Sequence, residues 1–590
     1  MEIKRVFDLL ERLQTYAPKK DILNAKVKGE WVHYSVEDFV NHANYVSSAL
    51  LDHGLKPGDK VAIMAGNMPE WNFVDYGAQQ VKMPTAPLFP TISKDDLRYI
   101  LAHCEAKIIF VSERGAYQRI NELRPELPHL EHVVTLIDIP GATHFSAFLA
   151  RGKEHLNEAA IKKIKDSISR DDLFTILYTS GTTGQPKGVM IAHKHLLSNV
   201  YICKDIAPFT REWRALSFLP LNHVYERFLN TLYLYHGVSI YYAESFETIG
   251  ENCREIRPQV FVAVPRVLER VLEKIVGAGE KLKGIKRKIF FWSLKLAERF
   301  ELNNANGWWY ELQRKIADKL VYSKWRAAVG GEVVVIVSGG AALNPRIERV
   351  FTCAGLELLQ GYGLTETCVV VSVNRFERSR RKFGSVGLVL ENSEVKIAPE
   401  DGEILMKGPS VMLGYYKNPE ATAEMIDNEG WLHTGDIGSF EDGFLKITDR
   451  KKEIFKSSAG KYISPVAIEN KLKECKFIEH CMVIGEGQKF ASALIVPSVG
   501  NFREYCAING IHLDESKNIA EHDDLKKLIA DHVKSVNAAL APHEQLKRYQ
   551  LVEGPWSVEG GEITPKLSLK RKIISQKNIH TINKIFRTGE

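Results

Sequence analysis

Paired cysteines and long apolar runs are missing from this sequence. The eight cysteines lie singly among 590 residues, with no CxxC pair and no histidine at the spacing of metal ligands. Scattered single thiols indicate a reducing compartment and argue against a disulfide framework or a zinc site. No stretch of about 18 uncharged apolar residues occurs, so no membrane-spanning helix is expected. The N-terminal residues mix charged with apolar side chains, unlike a secretory signal, and we expect a cytoplasmic protein with at most peripheral membrane contact.

A strong excess of one charge sign is also missing. The chain has 79 basic and 73 acidic side chains, a net charge of +6, and no run of alternating basic and aromatic residues. Nucleic acid is therefore not an expected partner. The tail is a local exception, whose basic side chains could form a solvated face or attract an anionic membrane surface or a phosphate. These residues are Lys566, Lys570, Arg571, Lys572, Lys577, Lys584 and Arg587.

The chain is long enough for several domains of roughly 100–200 residues. In its N-terminal part, apolar runs typical of buried strands, such as VAIMAG (61–66) and AKIIFVS (106–112), alternate with helical patterns. One helix is predicted after Ser35, as its N-cap, and is expected to stop at Gly54. This alternation predicts an α/β fold, in which helices cover mostly parallel sheets.

The pattern changes towards the C-terminus. From about residue 384, short strands and turns predominate, and the charge cluster TDRKKEIFK then interrupts the apolar rhythm. A helix near 465–475, a hairpin in CMVIGEGQKFASALIVP and a mostly helical tail are expected after it. We predict an N-terminal domain over 1–448, with a β-rich subdomain over about 384–448, and a small α+β domain over 449–590.

LFTILYTSGTTGQPKGV (173–189) is the most informative stretch. A buried strand over 173–179 leads into glycines and hydroxyl side chains, which let the backbone approach a phosphate, and Lys187 adds a positive charge. The segment is not a Walker A loop, because Pro186 precedes the lysine and Gly188 follows it. A flexible surface loop is the alternative, and the strand before the loop weakens it.

At these residues the sequence resembles a family, the adenylate-forming acyl-CoA synthetases, and within it the long-chain fatty acid–CoA ligases. YTSGTTGQPKG is similar to the family's phosphate-binding signature, and further motifs follow in the family's order over essentially the whole chain. The resemblance implies that this loop binds the phosphates of ATP. The residues concerned are Thr179, Ser180, Gly181, Thr182, Thr183, Gly184 and Lys187.

SFLPLNHVYERF (217–228) is the second match. The resemblance implies that His223 lies beside the substrate carboxylate and the adenylate; a satisfied core histidine is the alternative. Glu226 and Arg227 are expected to form a structural ion pair with each other. Some relatives have a tryptophan gate four residues after the histidine, where Arg227 stands here, so the sequence does not locate a gate.

Two glycine-rich motifs follow predicted strands. VSGGAALNPRI (337–347) places small residues between a strand and a helix that starts near Asn344, which permits a ligand against the backbone or a tight turn. In LLQGYGLTET (358–367), Tyr362 can stack on a purine, Thr365 can donate to the α-phosphate and Glu366 can bind Mg²⁺, although a Thr-Glu pair is commonly only a cap. The resemblance implies contacts to the adenylate or the acyl chain from Gly339, Gly340, Ala341, Gln360, Gly361, Tyr362, Gly363 and Thr365.

The later motifs concern the ribose, a hinge and coenzyme A. Asp436 in WLHTGDIG is a turn residue or, with Arg450, the pair that the resemblance implies for the ribose. Asp449 matches the family's hinge, about which a mobile C-terminal domain rotates, and an ordinary linker aspartate is the alternative. SSAGKYISP (457–465) resembles the segment that lines the pantetheine path, with Gly460 and Lys461 at its centre.

The catalytic lysine is the most ambiguous assignment. The family places it near the C-terminus, in the region of GGEITPKLSLKRK (560–572), where it reaches the α-phosphate. Long-chain relatives often carry a lysine where Ser568 stands here. Lys566 fits best with a shift of the loop register, and Lys570 is the second choice.

The resemblance as a whole implies an ATP- and Mg²⁺-dependent ligase. It would convert a long-chain fatty acid to acyl-AMP with release of pyrophosphate, and then transfer the acyl group to coenzyme A. One alternative is a fatty acyl-AMP ligase that loads a carrier protein, although no carrier domain follows the tail and SSAGKYISP favours coenzyme A. The other is a non-catalytic nucleotide- and lipid-binding homologue, which the displaced lysine suggests. Chain-length preference and oligomeric state do not follow from the sequence.

Overall fold

The computed structural model describes residues 2–179, 185–458, 460–513, 518–557, 560–563 and 569–587. Contacts between Cα atoms divide the chain into two compact units. The first unit comprises Met1–Lys396, Leu405–His433 and Phe440–Lys446. The second comprises Ile397–Ile404, Thr434–Ser439 and Ile447–Glu590.

Strands are distributed along the whole chain and are short in most cases. The strands up to residue 415 are β1 Leu23–Val27, β2 Glu30–Tyr34, β3 Lys60–Met64, β4 Thr85–Pro87, β5 Ala106–Val111, β6 His132–Thr135, β7 Thr143–His144, β8 Leu173–Thr179, β9 Lys187–Ala192, β10 Arg214–Ser217, β11 Ser239–Tyr242, β12 Val260–Ala263, β13 Val335–Ser338, β14 Glu357–Tyr362, β15 Ser372–Val373, β16 Leu388–Val389, β17 Glu394–Ile397, β18 Glu403–Lys407 and β19 Gly414–Tyr415. The later strands are β20 Leu432–Glu441, β21 Phe444–Arg450, β22 Phe455–Lys456, β23 Tyr462–Ile463, β24 Ile478–Ile484, β25 Ala491–Pro497 and β26 Leu546–Leu551.

Helices separate most of these strands. Those before residue 430 are α1 Asp8–Tyr16, α2 Val36–Asp52, α3 Pro69–Gln80, α4 Lys94–Cys104, α5 Arg114–Leu123, α6 Phe145–Glu154, α7 Glu158–Asp166, α8 His193–Cys203, α9 Val224–His236, α10 Ile249–Ile256, α11 Pro265–Glu280, α12 Gly284–Glu298, α13 Trp308–Ala317, α14 Ser323–Ala328, α15 Pro345–Cys353 and α16 Pro419–Met425. The remaining helices are α17 Pro465–Leu472, α18 Val499–Asn509, α19 Asp523–Ala538, α20 Arg571–Lys577 and α21 Ile579–Arg587.

Two large sheets form the centre of the first unit. One has nine strands in the order β16-β15-β14-β13-β12-β10-β11-β1-β2, and the other has eight in the order β19-β9-β8-β4-β3-β5-β6-β7. Neighbouring strands in the middle of both sheets are parallel, and antiparallel strands lie at edges. Such strands are buried on both faces, which explains their continuous apolar runs. The predicted α/β class is confirmed.

Helix α2 shows how local sequence sets an element. Ser35 caps it as predicted: its hydroxyl accepts from the N–H of Asp38 at 3.0 Å, and the Asp38 carboxylate accepts in return from the N–H of Ser35 at 2.8 Å. Two residues beyond the last helical position, Gly54 adopts a φ of +82°, which glycine tolerates best. Both predicted helix boundaries are therefore confirmed.

The predicted β-rich segment contains a four-stranded sheet in the order β17-β18-β20-β21. The strand expected over GSVGLVL (384–390) is wrong in extent, because only the two residues of β16 are extended and they join the edge of the nine-stranded sheet. Glycines explain the shortening. Gly384 and Gly387 have φ of +76° and +88°, outside the range of a regular strand.

Within the second unit, the three-stranded sheet β24-β25-β26 packs with helices around a core of its own. The helix expected near 465–475 is α17, and the expected hairpin is the antiparallel pair β24–β25. The tail, expected to be mostly helical, also contains the strand β26, which runs parallel to β25. In the part of the chain that the model describes, no helix is both long and apolar enough to cross a bilayer.

Candidate active site

The predicted phosphate loop connects two paired strands. Strands β8 and β9 are antiparallel, with Thr179 opposite Lys187, so the loop joins the ends of a hairpin. Strand β8 was predicted, whereas β9 was not. A Cβ on Gly188 would lie 2.8 Å from Cγ2 of Ile176, so this glycine is required for the close pairing. The predicted loop residues Ser180, Gly181, Thr182, Thr183 and Gly184 lie outside the described residues.

Tyr415 connects two predicted site residues and was not itself predicted. Strand β19 pairs with β9, and this brings the ring of Tyr415 to 5.0 Å from Nζ of Lys187. Its hydroxyl donates to Oε1 of Glu366 at 2.8 Å. Burial and the neighbouring carboxylate raise the pKa of Tyr415, which keeps the phenol a donor. The preceding Gly414 has a φ of +134°, and this glycine is the local sequence feature that accompanies the contact.

Thr365 and Glu366 lie in a single 3-10 turn, Thr365–Thr367, directly after the end of β14. The Oγ1 of Thr367 accepts from the N–H of Leu364 at 2.9 Å, so Thr367 caps this turn. In this turn the observed capping side chain is that of Thr367, and the carboxylate of Glu366 accepts from Tyr415. The side chains of Thr365 and Glu366 are largely buried, and the carboxylate of Glu366 is oriented by Tyr415.

Residues on either side of this turn hold an unusual backbone. A Cβ on Gly363 would lie 1.5 Å from the carbonyl oxygen of Val369, so no other residue fits there. Cys368 and Val369 have φ of +48° and +98°, a conformation that costs a β-branched residue of the order of 1–3 kcal/mol. Asn199 stabilises it, since its Nδ2 donates to the carbonyl oxygen of Cys368 at 2.6 Å. Asn199 is a second residue that sequence reasoning missed.

The ends of β13 and β14 meet at one edge of the sheet, because these neighbours are parallel. The predicted Gly339 is buried there, and a Cβ on it would lie 3.4 Å from the carbonyl oxygen of Gly361. Gly340, with a φ of +81°, and Ala341 are exposed beyond the strand. Helix α15 then begins after Asn344, as predicted. Small residues thus leave backbone open at this edge, the usual ligand position in such sheets.

Gln360 and Tyr362, from the LLQGYGLTET motif, lie in β14. Tyr362 is the last residue of the strand, and Gln360 is the third from its end. Gln360 is buried, and Tyr362 is half-buried. Because successive side chains of a strand point to opposite faces, both lie on the same face of β14. Tyr362 is therefore carried to the edge where the glycines leave the backbone open.

His223 is the N-cap of α9, where its Nδ1 accepts from the N–H of Tyr225 at 3.1 Å. A backbone N–H always donates, so the ring proton is on Nε2, which is then a donor. The ring of Tyr225 lies against Gly339, since a Cβ there would be 3.3 Å from its Cζ. His223 is thereby linked through Tyr225 to the ends of β13 and β14.

Two asparagines anchor the loop that precedes His223. Asn222 accepts from Nε1 of Trp71 at 2.9 Å and donates to the carbonyl oxygen of Ala65 at 2.8 Å. Asn67 donates to the carbonyl oxygen of Leu219 and accepts from the N–H of Leu221. These partners lie about 150 positions earlier in the chain, which is why the motif alone did not predict them.

The expected ion pair between Glu226 and Arg227 is wrong. Adjacent residues of a helix point about 100° apart, so they face different neighbours. Nη2 of Arg227 contacts Oδ1 of Asp75 at 2.5 Å, with both side chains buried. Glu226 instead accepts from the hydroxyl of Ser217 at 2.6 Å and from Asn230 at 3.2 Å, and burial raises its pKa to about 8. The carboxyl of Glu226 is accordingly neutral through most of the acidic and neutral range.

Within the second unit, Asp436 and Arg450 form the predicted pair. Asp436 lies inside β20, so its alternative as a turn residue is wrong. Nε of Arg450 contacts Oδ1 of Asp436 at 2.9 Å; the aspartate is buried, and the arginine is mostly exposed. The contact orients the carboxylate of Asp436 and leaves the guanidinium of Arg450 exposed to solvent.

Asp449 lies one residue before the end of β21 and is buried. Its Oδ1 accepts from the N–H of Arg450 at 2.6 Å. Burial raises the pKa of Asp449, and the hydroxyl of Ser464 acts in the opposite direction. Asp449 is therefore a buried strand residue, unlike an ordinary linker aspartate.

The SSAGKYISP segment follows β22 directly and includes β23, and these two short strands pair as an antiparallel hairpin. Gly460 has a φ of +73° in its turn and donates to the carbonyl oxygen of Ser457 at 2.9 Å. Lys461 is exposed, and Tyr462, with 63% of its surface exposed, lies under Nζ of Lys456 at 4.7 Å. The turn therefore presents two cations and an aromatic ring to solvent.

The two candidate lysines differ in what can be said of them. Lys566 lies outside the described residues. Lys570 is the N-cap of α20, and its N–H donates to the carbonyl oxygen of Glu562 at 2.7 Å. The tail is not wholly a solvated basic face, because Nη2 of Arg571 donates to both carboxylate oxygens of the buried Glu469, at 2.8 and 2.7 Å.

Two family models match most of the chain. A family model described as "AMP-binding enzyme" matches residues 10–416, and one described as "AMP-binding enzyme C-terminal domain" matches residues 453–590. The chain belongs to the AMP-binding enzyme family.

Several curated relatives of this AMP-binding enzyme are similar over most of its length. The peroxisomal long chain acyl-CoA synthetase 7 of Arabidopsis thaliana is 30% identical, over 98% of this chain and 86% of the relative. Long-chain-fatty-acid–CoA ligase FadD15 of Mycobacterium tuberculosis is 30% identical, over 96% and 95%. Long-chain-fatty-acid–CoA ligase 1 of Homo sapiens is 29% identical, over 92% and 80%.

Solved structures share the fold of the AMP-binding enzyme. The anthranilate CoA ligase AuaEII, in complex with anthranoyl-AMP, has a TM-score of 0.73 and 19% identity, and covers 98% of both chains. A fatty acyl CoA synthetase of Mycobacterium tuberculosis has a TM-score of 0.64 and 19% identity, over 98% of this chain and 99% of that one. At these identities the likeness shows the architecture.

Glu366, in the first unit of the AMP-binding enzyme, could supply a ligand to a magnesium ion. Among the described residues, no group of three or more histidine, cysteine or acidic side chains could hold a metal. Mg²⁺ commonly takes one or two carboxylates together with the phosphates of its substrate. The buried, oriented carboxylate of Glu366 fits that arrangement.

Proposed function

We propose that this AMP-binding enzyme activates a long-chain fatty acid with ATP and transfers the acyl group to coenzyme A. The first step gives acyl-AMP and pyrophosphate, and the second gives acyl-CoA and AMP. The observation that carries the proposal is similarity, at about 30% identity over nearly the full length, to proteins named long-chain acyl-CoA synthetases. Both the nucleotide-binding part and the C-terminal domain of the family are matched.

The first step needs charge neutralisation and positioning above all. A carboxylate is a poor acyl donor, because its leaving group would be oxide, and the mixed anhydride with AMP supplies a better one. Both reactants are anions, so bringing the carboxylate to the α-phosphate requires fixed donors and cations in a partly dry site. The bond from the α-phosphorus to the pyrophosphate breaks as the bond to the carboxylate oxygen forms.

Residues of the first unit are assigned to this step. We assign the phosphates to the hairpin loop and Lys187, and the α-phosphate to Thr365. Glu366 would hold Mg²⁺, which when bound neutralises phosphate charge. The contacts of Tyr415 with both Lys187 and Glu366 support this assignment, because they bring a cation and a carboxylate to one position beside the loop.

His223 is assigned to the substrate carboxylate. Its Nδ1 is occupied by the N–H of Tyr225, so Nε2 is the donor that can bind a carboxylate oxygen. Tyr225 contacts Gly339 at the strand ends, where we assign the adenylate to the glycines and to Tyr362.

The second half-reaction is assigned to the C-terminal domain, over 449–590. We infer that Asp436 and Arg450 bind the ribose. We also infer that rotation about Asp449 moves the catalytic lysine away from the reacting groups and brings the Gly460 turn to them. The exposed, positively charged turn supports a role in guiding the pantetheine of coenzyme A, an anionic molecule. Such domain movement completes one site at a time.

The reaction is tested with the purified full-length protein, palmitate, MgATP and coenzyme A. We expect palmitoyl-CoA, AMP and pyrophosphate in equal amounts, and no ADP. Without coenzyme A, acyl-AMP should form once per enzyme and then stop. Formation of ADP, or sustained turnover without coenzyme A, would contradict the proposal, and activity only with an added carrier protein would favour the acyl-AMP ligase.

The lysine assignment is tested by comparing Lys566→Ala with Lys570→Ala. Loss of a charge at the α-phosphate should reduce pyrophosphate release by about a hundredfold in Lys566→Ala. Lys570→Ala, at the second candidate, should retain most activity, and the reverse pattern would move the assignment to Lys570. Equal turnover in both variants and the wild type would remove the assignment, and an inactive wild type with every fatty acid tested would favour the non-catalytic homologue.

A further inference from the structure

An apolar stripe lies exposed on one face of α13 and the π-helical turn Asp318–Tyr322 that follows it. Its side chains have between 43% and 78% of their surface exposed. They recur at the spacing of one helix face. We call them the α13 stripe: Trp308, Trp309, Leu312, Ile316 and Leu320.

The opposite face of this helix is fixed to the first unit. The hydroxyl of Tyr310 donates to the carbonyl oxygen of Leu296 at 2.6 Å, and that of Tyr322 donates to the carbonyl oxygen of Ser293 at 2.7 Å. Ala317 and Tyr322 are fully buried. The fold therefore holds the α13 stripe outwards on a rigid support, with two tryptophans at its N-terminal end.

Positive charge surrounds the α13 stripe. Residues 308–328 contain five basic and two acidic side chains. Both acidic groups are engaged, since Glu311 accepts from Arg314 and Asp318 from Arg326. The exposed cations beside the stripe are Lys315, Lys319 and Lys324.

The neighbouring helix adds to this charge. The rings of Phe290 and Trp325 lie 5.8 Å apart, which places the N-terminal half of α12 beside α14. That half begins with KGIKRK (283–288), in which Ile285 has 73% of its surface exposed and the four cations are exposed. The neighbouring helix therefore carries a further exposed aliphatic side chain and a dense group of cations.

This composition fits a lipid surface better than a protein partner. Tryptophan is enriched at the level of lipid headgroups, and amphipathic helices that lie in the interface combine it with lysine. Lysine is depleted at the centres of protein–protein interfaces. Five large apolar side chains, each more than 40% exposed on one helix face, are also unusual on a surface that faces only water.

We propose that the α13 stripe docks on the surface of an anionic bilayer. Trp308, Trp309 and Leu312 enter the headgroup region, and the lysines around them lie against the anionic lipids. The proposal is independent of the proposed reaction, although a bilayer is also where a long-chain fatty acid accumulates.

Co-sedimentation of the full-length protein with vesicles tests this proposal. Vesicles of phosphatidylcholine alone are compared with vesicles that contain phosphatidylglycerol as well, at low and at physiological salt. The wild type should bind the anionic vesicles at least about tenfold more strongly, and less so at higher salt.

Two variants separate the apolar from the charged contribution. Trp308→Ser with Trp309→Ser should reduce binding to anionic vesicles at least about tenfold. Lys315→Gln with Lys319→Gln and Lys324→Gln should reduce it about as much and remove most of the preference for anionic lipid. The matched control is Tyr16→Ser with Val27→Ser, which removes exposed apolar side chains from other elements and should bind as the wild type does.

Folding of each variant is checked by its melting temperature, because exposed substitutions should leave it within a few degrees of the wild type. Wild-type protein that stays in the supernatant with both kinds of vesicle would overturn the proposal. So would equal binding by the tryptophan variant and the control. A wild-type dimer that the tryptophan variant abolishes, without vesicle binding, would show that a second copy covers the stripe instead.

Discussion

At the scale of single residues, the buried polar groups of the first unit depend on partners that are distant in the chain. Arg227 contacts Asp75, 152 positions away, and Tyr415 contacts Glu366, 49 positions away. Both contacts are buried, where an ionic or charge-assisted hydrogen bond is worth more than at the surface. Removing a single atom from such a pair should therefore change stability or activity by a measurable amount.

The Tyr415→Phe variant tests the link between Lys187 and Glu366. The ring and its contact with Lys187 remain, but the Glu366 carboxylate loses a hydrogen bond worth about 1.5–3 kcal/mol. We expect kcat/KM for MgATP to fall about tenfold or more, with a higher Mg²⁺ requirement. Tyr416→Phe is the neighbouring control, and unchanged MgATP kinetics in Tyr415→Phe would show that the contact has no part in the reaction.

Glu226 gives a prediction about pH. Its pKa is about 8 in the folded protein, above the value of about 4.5 expected for the unfolded chain. The folded state then binds the proton more tightly, so this stabilising effect is complete below pH 4.5 and is lost as the pH rises to 8. Between these values the free energy of unfolding should fall by about 1.4 kcal/mol per pH unit relative to Glu226→Gln.

Urea unfolding from pH 5 to 9 measures this difference. Glu122→Gln changes an exposed carboxylate whose pKa is lowered by the hydrogen bond from Lys94, so it stays ionised over this range and the variant should run parallel to the wild type. A constant difference between Glu226→Gln and the wild type over the whole range would mean that Glu226 is already ionised at pH 5. The interpretation of a neutral buried carboxyl would then be wrong.

At the scale of elements, the site is built where strands end. The ends of β13 and β14 bring Gly339 and Gly361 together, and the turn after β14 carries Thr365 and Glu366. These turns use conformations that glycine tolerates or that neighbours enforce, as Asn199 does for Cys368. Small side chains here are consequences of close backbone packing as much as of ligand binding.

Gly363→Ala should disrupt this turn. Its Cβ would lie 1.5 Å from the carbonyl oxygen of Val369, which is backbone and cannot move without the 3-10 turn that carries Glu366. We expect loss of MgATP binding, with a melting temperature lower by several degrees. Gly66→Ala, where a Cβ would meet nothing within 4 Å, is the control and should resemble the wild type. Normal nucleotide affinity in Gly363→Ala, measured by calorimetry, would contradict this account.

At the scale of the whole molecule, the two units supply different groups to the proposed reaction. The phosphate hairpin, His223 and Glu366 belong to the first unit, and the Asp436–Arg450 pair and the Gly460 turn belong to the second. We propose that the second unit changes its position between the two half-reactions, by rotation about Asp449.

Asp449→Pro and Asp449→Ala separate a hinge from a structural carboxylate. Both variants lack the carboxylate, but proline alone fixes φ near −65°. We expect one half-reaction to be lost in the proline variant and both to persist in the alanine variant. Pyrophosphate release measures adenylation, and conversion of preformed palmitoyl-AMP measures transfer to coenzyme A. Equal loss of both steps in both variants would indicate a folding defect in place of a hinge.

Local sequence determined the parts of this protein that depend on neighbours in the chain. The Ser35 cap, the strand before the phosphate loop, the glycines after β13 and the start of α15 follow from propensity, capping and backbone freedom, all of which act over a few residues. The alternation of such elements was sufficient to predict the α/β class.

Tertiary structure decided which distant residues meet. It placed Tyr415 against Glu366 and turned Glu226 and Arg227 towards different partners. It also added β26 to its sheet and placed the α13 stripe on one exposed face. Sequence spacing does not specify these contacts, because a sheet brings together strands that the chain separates by dozens to hundreds of positions. Their partners are fixed only when the strand order and the helix faces are known.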